Sequence, residues 1–252
     1  SLTDPDARSM ATSGRGSGVV GYNVQAAVET DHHLIIAHDV IQSGSDRASL
    51  APMAEKAKDA LGVDELDVVA DRGYFSSEQI LECSQIDVSV TLPKPMTSGM
   101  KAKGQFGKQD FRYLADKDIY LCPAGQALSF VSHKRQTGSP DLRRYATAGC
   151  GACALKRRCT TSTQRVITRW EHEHLVEAVQ RRLDENPHAM RQRPETLEHP
   201  FGTNKMRMGA THFLMKRLKN VKTEMTLSVL AYNLTRDMNI VGIRPLMAAI
   251  RV

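Results

Sequence analysis

The 252 residues are 41% hydrophobic and 25% charged, enough for one large core or two modest ones. No apolar run approaches the roughly 18 residues of a membrane span, and the polar, acidic first residues are unlike a secretory signal, so a cytoplasmic protein is expected. Lys and Arg number 34 against 28 Asp and Glu, and the net charge of +6 is a mild hint of a polyanionic partner.

Residues 1–18 are rich in Gly, Ser and Asp and are expected to be a loop or frayed end. Two strands follow, GYNVQAAVE and HLIIAHDVI, joined by the polar turn 30–33 as an antiparallel hairpin. Tyr22, Val24, Ala26 and Val28 alternate with Asn23, Gln25 and Glu29, the pattern of a half-buried strand. The run DRASLAPMAEKAKDALG predicts a helix, with Leu50, Met53, Ala54, Ala57 and Leu61 at helical spacing and Gly62 as its C-cap. LDVVAD reads as a short buried strand, SSEQILECSQ as a short helix capped by Ser76 or Ser77, and IDVSVTLP as a strand closed by Pro93 and Pro95. Hairpin, helix, strand, helix, strand is an α/β order with a mixed sheet, over residues 19–95. The order breaks near 96. Residues 96–170 are rich in Gly, Lys and Cys, lack long periodic segments, and are expected to be an insertion. Residues 171–252 are expected to complete the core with helices. One lies at about 171–185 and one at about 222–240, the latter striped by Met225, Leu227, Leu230, Leu234 and Met238.

Glu198 and Lys205 lie seven positions apart in RPETLEHPFGTNKMRMG, almost two helical turns, so a helix sets both on one stripe. Pro194 suits the first turn of that helix. Pro200 predicts a kink and biases His199 away from helical geometry. Asp71 ends the apolar run LDVVAD, at the carboxyl end of a strand where ligands collect in open α/β sheets. Each has a structural explanation too: Glu198 as a solvated partner of Lys205 or Arg193, Asp71 as a turn residue paired with Arg72. Together, an Asp at a strand end and a Glu on a late basic helix are what metal-dependent phosphoryl transfer on DNA requires. Lys205, Arg207, Lys216, Arg217, Lys219 and Lys222 on one helical face would neutralise several phosphates; a solvated face is the alternative.

Four of the five cysteines cluster: Cys122, then Cys150-x₂-Cys153-x₅-Cys159. The close pair suits a tetrahedral Zn²⁺ completed by the other two. Such a metal would hold an insertion poor in apolar residues; reduced thiols are the other reading. Cys83 stands apart and reads as packing. His172 and His174 are two apart and share no helical face, and HEH is not H-E-x-x-H.

In order along the chain, LTDPDAR, GYNVQAAVE, HLIIAHDV, VVADRGYFS, CPAG with the cysteine set, ETLEHPFGTNKMRMGATHFL and TEMTLSVLAYNLTRDMNIVG resemble DDE-type transposases of bacterial insertion sequences, in the subgroup with a cysteine-rich insertion. The resemblance spans nearly the whole chain. It implies an RNase H-like mixed sheet with flanking helices, interrupted by a small zinc-ribbon-like insertion. It also implies Mg²⁺ or Mn²⁺ held by two Asp and one Glu, DNA ends and target as partners, a homodimer in the active complex, and a bacterial, nucleoid-associated location. It maps the second acid onto Asp71, the Glu onto Glu198, and Lys205 onto the Lys that follows the Glu in the family's Tyr-Arg-Glu-Lys signature. Arg193 and Arg207 join Lys205 as DNA-binding candidates, although Arg193 is one residue out of step and Arg191 and Pro194 stand where the signature has Tyr and Arg. The first Asp of such proteins sits on a strand before the hairpin, and residues 1–18 do not read as one. That strand is expected upstream of Ser1, with Asp4 and Asp6 in a loop motif, and the 252 residues alone are expected to bind DNA weakly without cutting it. Two rivals stand beside this reading. One is a non-catalytic, zinc-containing DNA-binding or regulatory protein derived from a transposase; the other is a nuclease of the same fold.

Overall fold

The structure is a computed structural model that describes residues 3–10, 18–95, 99–100, 103–136 and 139–250. The chain packs as two units, Ser1–Lys94 with Ala178–Val252, and Pro95–Glu177.

In the first unit, β1 (Arg8–Met10) and β2 (Val19–Gly21) form a short antiparallel pair where the sequence suggested only loop. β3 (Asn23–Val28) and β4 (Ile35–Ile41) form the hairpin, with Asn23 opposite Ile41 and Ala26 opposite His38. The Glu29 carboxylate holds its turn by accepting the N–H groups of Asp31, His32 and Leu34. α1 (Leu50–Leu61) buries Leu50, Met53, Ala54 and Ala57, and Gly62 ends it at φ 63°, the left-handed conformation glycine adopts without strain. β5 (Leu66–Val69) follows, and then α2 (Ser77–Gln85), capped by the Ser76 side chain on Gln79 N–H. β6 (Val88–Thr91) pairs with β5 in parallel, Leu66 opposite Val88. The class is α/β. Among the described residues, though, β3–β4 and β5–β6 are two separate two-stranded sheets and not one mixed sheet.

The second unit is an antiparallel meander of β7 (Arg112–Leu114), β8 (Ile119–Leu121), β9 (Ala127–Gln136), β10 (Ser139–Ala146) and β11 (Val166–Trp170), in that spatial order, with the four-residue α3 (Lys156–Cys159) between the last two strands. Its buried set is small and aromatic: Phe111, Tyr120, Leu128, Tyr145 and Ile167. Asp118, at φ 49° in the β7–β8 turn, accepts from the hydroxyls of Tyr113 and Tyr145, each at 2.7 Å, and from Arg143. Arg169 is buried, stacks 3.7 Å over the Tyr113 ring, and donates through both guanidinium nitrogens to Glu177. Pairing and cation–π contact offset the desolvation of that charge.

The first unit is completed by the part of α4 (Glu173–Glu185) from Ala178 on, and by α5 (Ala189–Met206), α6 (Leu218–Ile240) and α7 (Ile243–Ile250). α6 corrects the expected stripe. Val221, Met225, Val229 and Tyr232 are its buried face, packed on Ile35 and Val40 of β4, while Leu227, Leu230, Leu234 and Met238 are exposed. Both sets have helical spacing, so periodicity alone could not choose between them. The first turn of α6 takes its anionic caps from the other end of the chain. Arg217 N–H donates to Asp4 at 3.2 Å and Leu218 N–H to Asp6 at 2.9 Å, and Tyr22 hydroxyl bonds Asp4 at 2.7 Å. Carboxylates at a helix N-terminus satisfy free N–H groups and complement the dipole, which gives the LTDPD motif a structural role.

α5 corrects another expectation. It runs through both prolines without a break, so Pro194 lies past the first turn and His199 is helical. Pro200 is buried and leaves the Thr196 carbonyl without its helical donor. The His33 ring meets that carbonyl at 3.4 Å, and His199 Nδ1 lies 3.0 Å from the Tyr232 hydroxyl, which donates to His33 carbonyl at 2.7 Å. Contacts from the hairpin turn and α6 thus hold the helix together where the proline weakens it.

Candidate functional site

Asp71 follows β5 in extended backbone, φ −86° and ψ 175°, and opens the 3₁₀ turn Arg72–Tyr74. Its Oδ1 accepts Gly73 N–H at 2.6 Å, and its Oδ2 accepts the Arg193 guanidinium of α5 at 3.0 Å. A Cβ at position 73 would lie 2.9 Å from Asp71 Oδ1 and 3.3 Å from Asp46 Oδ2. A side chain at position 73 would thus crowd the tips of two carboxylates that approach this point, and glycine leaves them room.

Sequence reasoning missed Asp46. Its Oδ1 accepts from Asn23 Nδ2 at 2.7 Å and Gln25 Nε2 at 2.8 Å. Gln25, 2% exposed, also accepts the Tyr74 hydroxyl through its other atom. The polar positions of β3 thus face a buried network, not solvent. Period-two Asn and Gln pointing at an Asp ahead of a helix is the signal that could have found it. Burial, together with the Asp46 and Asp71 carboxylates, pushes the Tyr74 phenol well above its ordinary range, so it remains a donor. Arg193 is the cation of this group, and its Nε is buried without a hydrogen-bond partner.

Glu198 makes no hydrogen bond or ion pair with this group among the described residues. It is exposed on α5, five residues beyond Arg193, which on a helix is about 140° around the axis. Lys205 is exposed on the same stripe as Glu198, as their spacing predicts, and among the described residues no ion pair links the two. The basic run does not form one helical face either. Lys205 lies on α5, Arg207, Lys216 and Arg217 on the exposed connection, and Lys219 and Lys222 on α6. Lys222 is bound to Asp39 at 2.7 Å, as is Lys56 at 2.5 Å. Burial works to raise the Asp39 carboxyl, but the two lysines outweigh it and hold it at about 2.

Cys122, Cys150, Cys153 and Cys159 line one cavity of about 20 Å³ in the second unit, together with Phe106 and Phe111. Burial pushes the Cys159 thiol up; Arg165 opposes, and the thiols of Cys150, Cys122 and Cys153 add to the rise. The donor chemistry suits Zn²⁺. Still, no group of three or more His, Cys, Asp or Glu among the described residues is set to hold a metal ion. Cys83 is fully buried, with its thiol pushed up to about 12 by burial, as a packing residue would be. At Asp71 both oxygens are engaged, one by a backbone N–H and one by a guanidinium. In this arrangement the Arg193 guanidinium is the cation that balances Asp71.

Beside this rim a cavity of about 290 Å³ separates β3 from β5. Ala26, Val28, Val68, Met53, Ala57 and Thr196 are among its lining, so two strand edges, α1 and α5 all face it.

The chain matches the family model described as Transposase DDE domain over residues 121–237, just under half its length. The matched span contains the four clustered cysteines, Glu198 and Lys205, and stops short of Asp71. It supports a DDE transposase, a family that acts on DNA and generally uses divalent metal ions. No curated protein and no solved structure matches. No helix among the described residues is long and apolar enough to cross a membrane.

Proposed function

We propose that this chain is the catalytic domain of an insertion-sequence transposase, RNase H-like in fold, which cleaves and joins DNA strands with divalent metal. The family-model match over residues 121–237 carries this reading. Asp71 at the end of β5, with Asp46 across Gly73, supports it from the other half of the chain. A divalent ion bound between carboxylates would activate an attacking oxygen and stabilise a leaving one. In the present arrangement Arg193 neutralises Asp71, and Glu198 stands exposed on α5. What these residues do is hold and position: Asn23 and Gln25 fix Asp46, Gly73 and Arg193 fix Asp71, and Lys205 and Arg207 stand exposed for phosphate. The active complex is a homodimer on DNA in a bacterial cytoplasm.

Electrostatics assigns much of the DNA grip to the second unit. Pro95–Glu177 holds 14 Lys and Arg against 7 Asp and Glu, a net of +7. The whole chain has 34 and 28, leaving 20 and 21 elsewhere. Zinc on the four cysteines belongs to the same proposal, and metal analysis of the purified protein tests it: about one equivalent, lost in Cys153→Ser, is expected, and a metal-free folded protein removes zinc from the reading.

The catalytic test is cleavage and joining of transposon-end DNA in Mg²⁺ or Mn²⁺ by a chain carrying its native upstream sequence. Activity lost in both Asp71→Asn and Glu198→Gln is expected. A folded, DNA-binding extended chain that neither cuts nor joins would favour a non-catalytic DNA-binding descendant, to which the Asp71–Arg193 pair already lends support. Nicks without strand-transfer products would favour a nuclease. The 252 residues alone should bind DNA weakly and leave it uncut.

A further inference from the structure

The five-stranded sheet of the second unit has two unlike faces. Alternation along a strand sends every second side chain to the same side. Tyr113 stands opposite Tyr120, Tyr120 opposite Leu128, and Tyr145 opposite both Phe130 and Ile167, which marks the face that carries the aromatic core. Arg112 on β7 and Arg144 on β10 are each one position out of step with these residues and lie on the other face. On β9 a bulge at Val131 shifts the alternation. Phe130 is opposite Tyr145, but Ser132 is opposite Arg144 and Lys134 opposite Leu142. Lys134 therefore joins Arg112 and Arg144 on the outer face. Its neighbour Arg135 turns to the core side, where it meets Asp141 at 3.3 Å.

Charge divides by face. On the core side each strand cation has a carboxylate: Arg135 has Asp141, Arg143 has Asp118 and Arg169 has Glu177. On the outer side Arg112, Lys134 and Arg144 are in no ion pair among the described residues. Asp141 is the only acidic residue in the five strands, and it faces the other way.

Between these cations the outer face is approachable. Arg112, Ala127, Ser129 and Lys134 are exposed, and Ser132, Arg144 and Thr168 are half-buried. Small side chains let a ligand come close to the sheet, and hydroxyls offer donors to phosphate oxygens. The cations are also spread out. Arg112 stands opposite Leu121, which stands opposite Ala127 of β9, seven residues before Lys134. At ~3.3 Å per residue the row is about 20 Å long, more than half of one turn of B-DNA. Trp170 is the aromatic ring on this side, and it is buried. A single strand binds by stacking its bases on exposed rings, and this face offers it none.

We propose that the outer face of this sheet, through Arg112, Lys134 and Arg144, holds duplex DNA by its sugar–phosphate backbone without reading its sequence. The choice of DNA as the polyanion rests on the transposase reading above; the acid-free basic face does not.

Equilibrium titration of the 252-residue chain with duplex DNA over a range of salt tests this. Lys134→Gln should lower the slope of log affinity against log salt by about 1. Arg112→Gln, Lys134→Gln and Arg144→Gln together should lower it by about 2–3 and weaken binding at least ~10-fold, alike for unrelated duplex sequences. Arg135→Gln, next in sequence but on the other face, should leave the slope unchanged. Amide protection at Tyr145 and Ile167 reports whether the triple variant is folded; if it is not, the contrast between Lys134→Gln and Arg135→Gln carries the test alone. An unchanged slope in the folded triple variant overturns the proposal. So does an equal loss in Arg135→Gln, or tighter binding of single strands than of duplex. A parent chain that binds no DNA at low salt overturns both this face and DNA as the partner. Binding that is lost in the triple variant of a protein that never cuts DNA would support the face and remove only the catalytic reading.

Discussion

The two units of this chain solve the packing problem differently. The first buries aliphatic and small residues, Val221, Val229, Val40 and Ile35 in one cluster and Met53, Ala37 and Ala57 in another. The second has too few such residues and closes on stacked phenols instead. Tyr120 and Tyr145 lie 5.2 Å apart edge to face, with Asp118 and Arg169 supplying hydrogen bonds within the stack. Charge follows the same division. In the first unit an acidic leading part and basic closing helices cancel, whereas the second keeps a surplus of basic groups. The second unit thus combines a small aromatic core with a surplus of basic charge.

The sharpest way to break the comparison is Tyr145→Ala. It removes the centre of the second unit's core at a cost of about 3–5 kcal/mol and should lower a melting transition assigned to residues 95–177, leaving the amide protection of β3, β4 and α6 intact by hydrogen exchange. One cooperative shift of the entire protein would show that the units share their stability. Next, replacing Lys156, Arg157 and Arg158 together with Ala should weaken DNA binding more than ~10-fold at moderate salt and lower the salt slope by about 2–3. The same number of charges removed at Lys216, Arg217 and Lys219 should do less, and an equal loss would erase the electrostatic contrast. Arg193→Gln should cost only about 1 kcal/mol, since Asp71 is 43% exposed. It should also raise Mn²⁺ affinity at Asp71, measurable by calorimetry and absent in the double variant with Asp71→Asn.

The smallest effect is a pH dependence confined to the first unit. The Asp39 carboxyl is held at about 2, below the ordinary value of about 3.9. Its stabilising contribution is full above the unfolded value and is lost as pH falls through the folded one. Both lysines are about half exposed, so solvent screening keeps the effect below about 1 kcal/mol. Denaturant midpoints between pH 5 and pH 2 should fall less in Asp39→Asn than in the parent protein.

The hairpin, α1 with its glycine cap, the existence of β5 and the position of Asp71 were legible because each carries a local signal: alternation, a left-handed terminus, or an apolar run ended by a charge; the burial expected of β5 was not, since Asp67 and Val69 are exposed. The buried face of α6 was not legible, because two stripes of equal periodicity compete and only contact with β4 selects between them. The continuity of α5 was hidden for a similar reason. His33, remote in sequence, meets the carbonyl that Pro200 leaves free. The strands of the second unit escaped notice since Ser, Lys and Arg fill the positions where alternation would show. Of the candidate site, the two acids proposed from sequence were placed on the right kinds of element, a strand end and a helix. Their relative orientation depends on α5 packing and could not be read from spacing; Asp46 went unseen because Asn23 and Gln25 look like solvent-facing positions.

The partners of the β3–β4 hairpin come from the far end of the chain. Ile35 and Val40 rest on Val221, Met225, Val229 and Tyr232, and Asp4 and Asp6 wait for the first turn of α6. On a ribosome the hairpin therefore emerges long before the helix that covers it, and its apolar face stays bare while some 180 further residues are made, about 10–40 s at 5–20 residues per second. A nascent chain in that condition is a natural client for a chaperone that shields bare β-structure during synthesis.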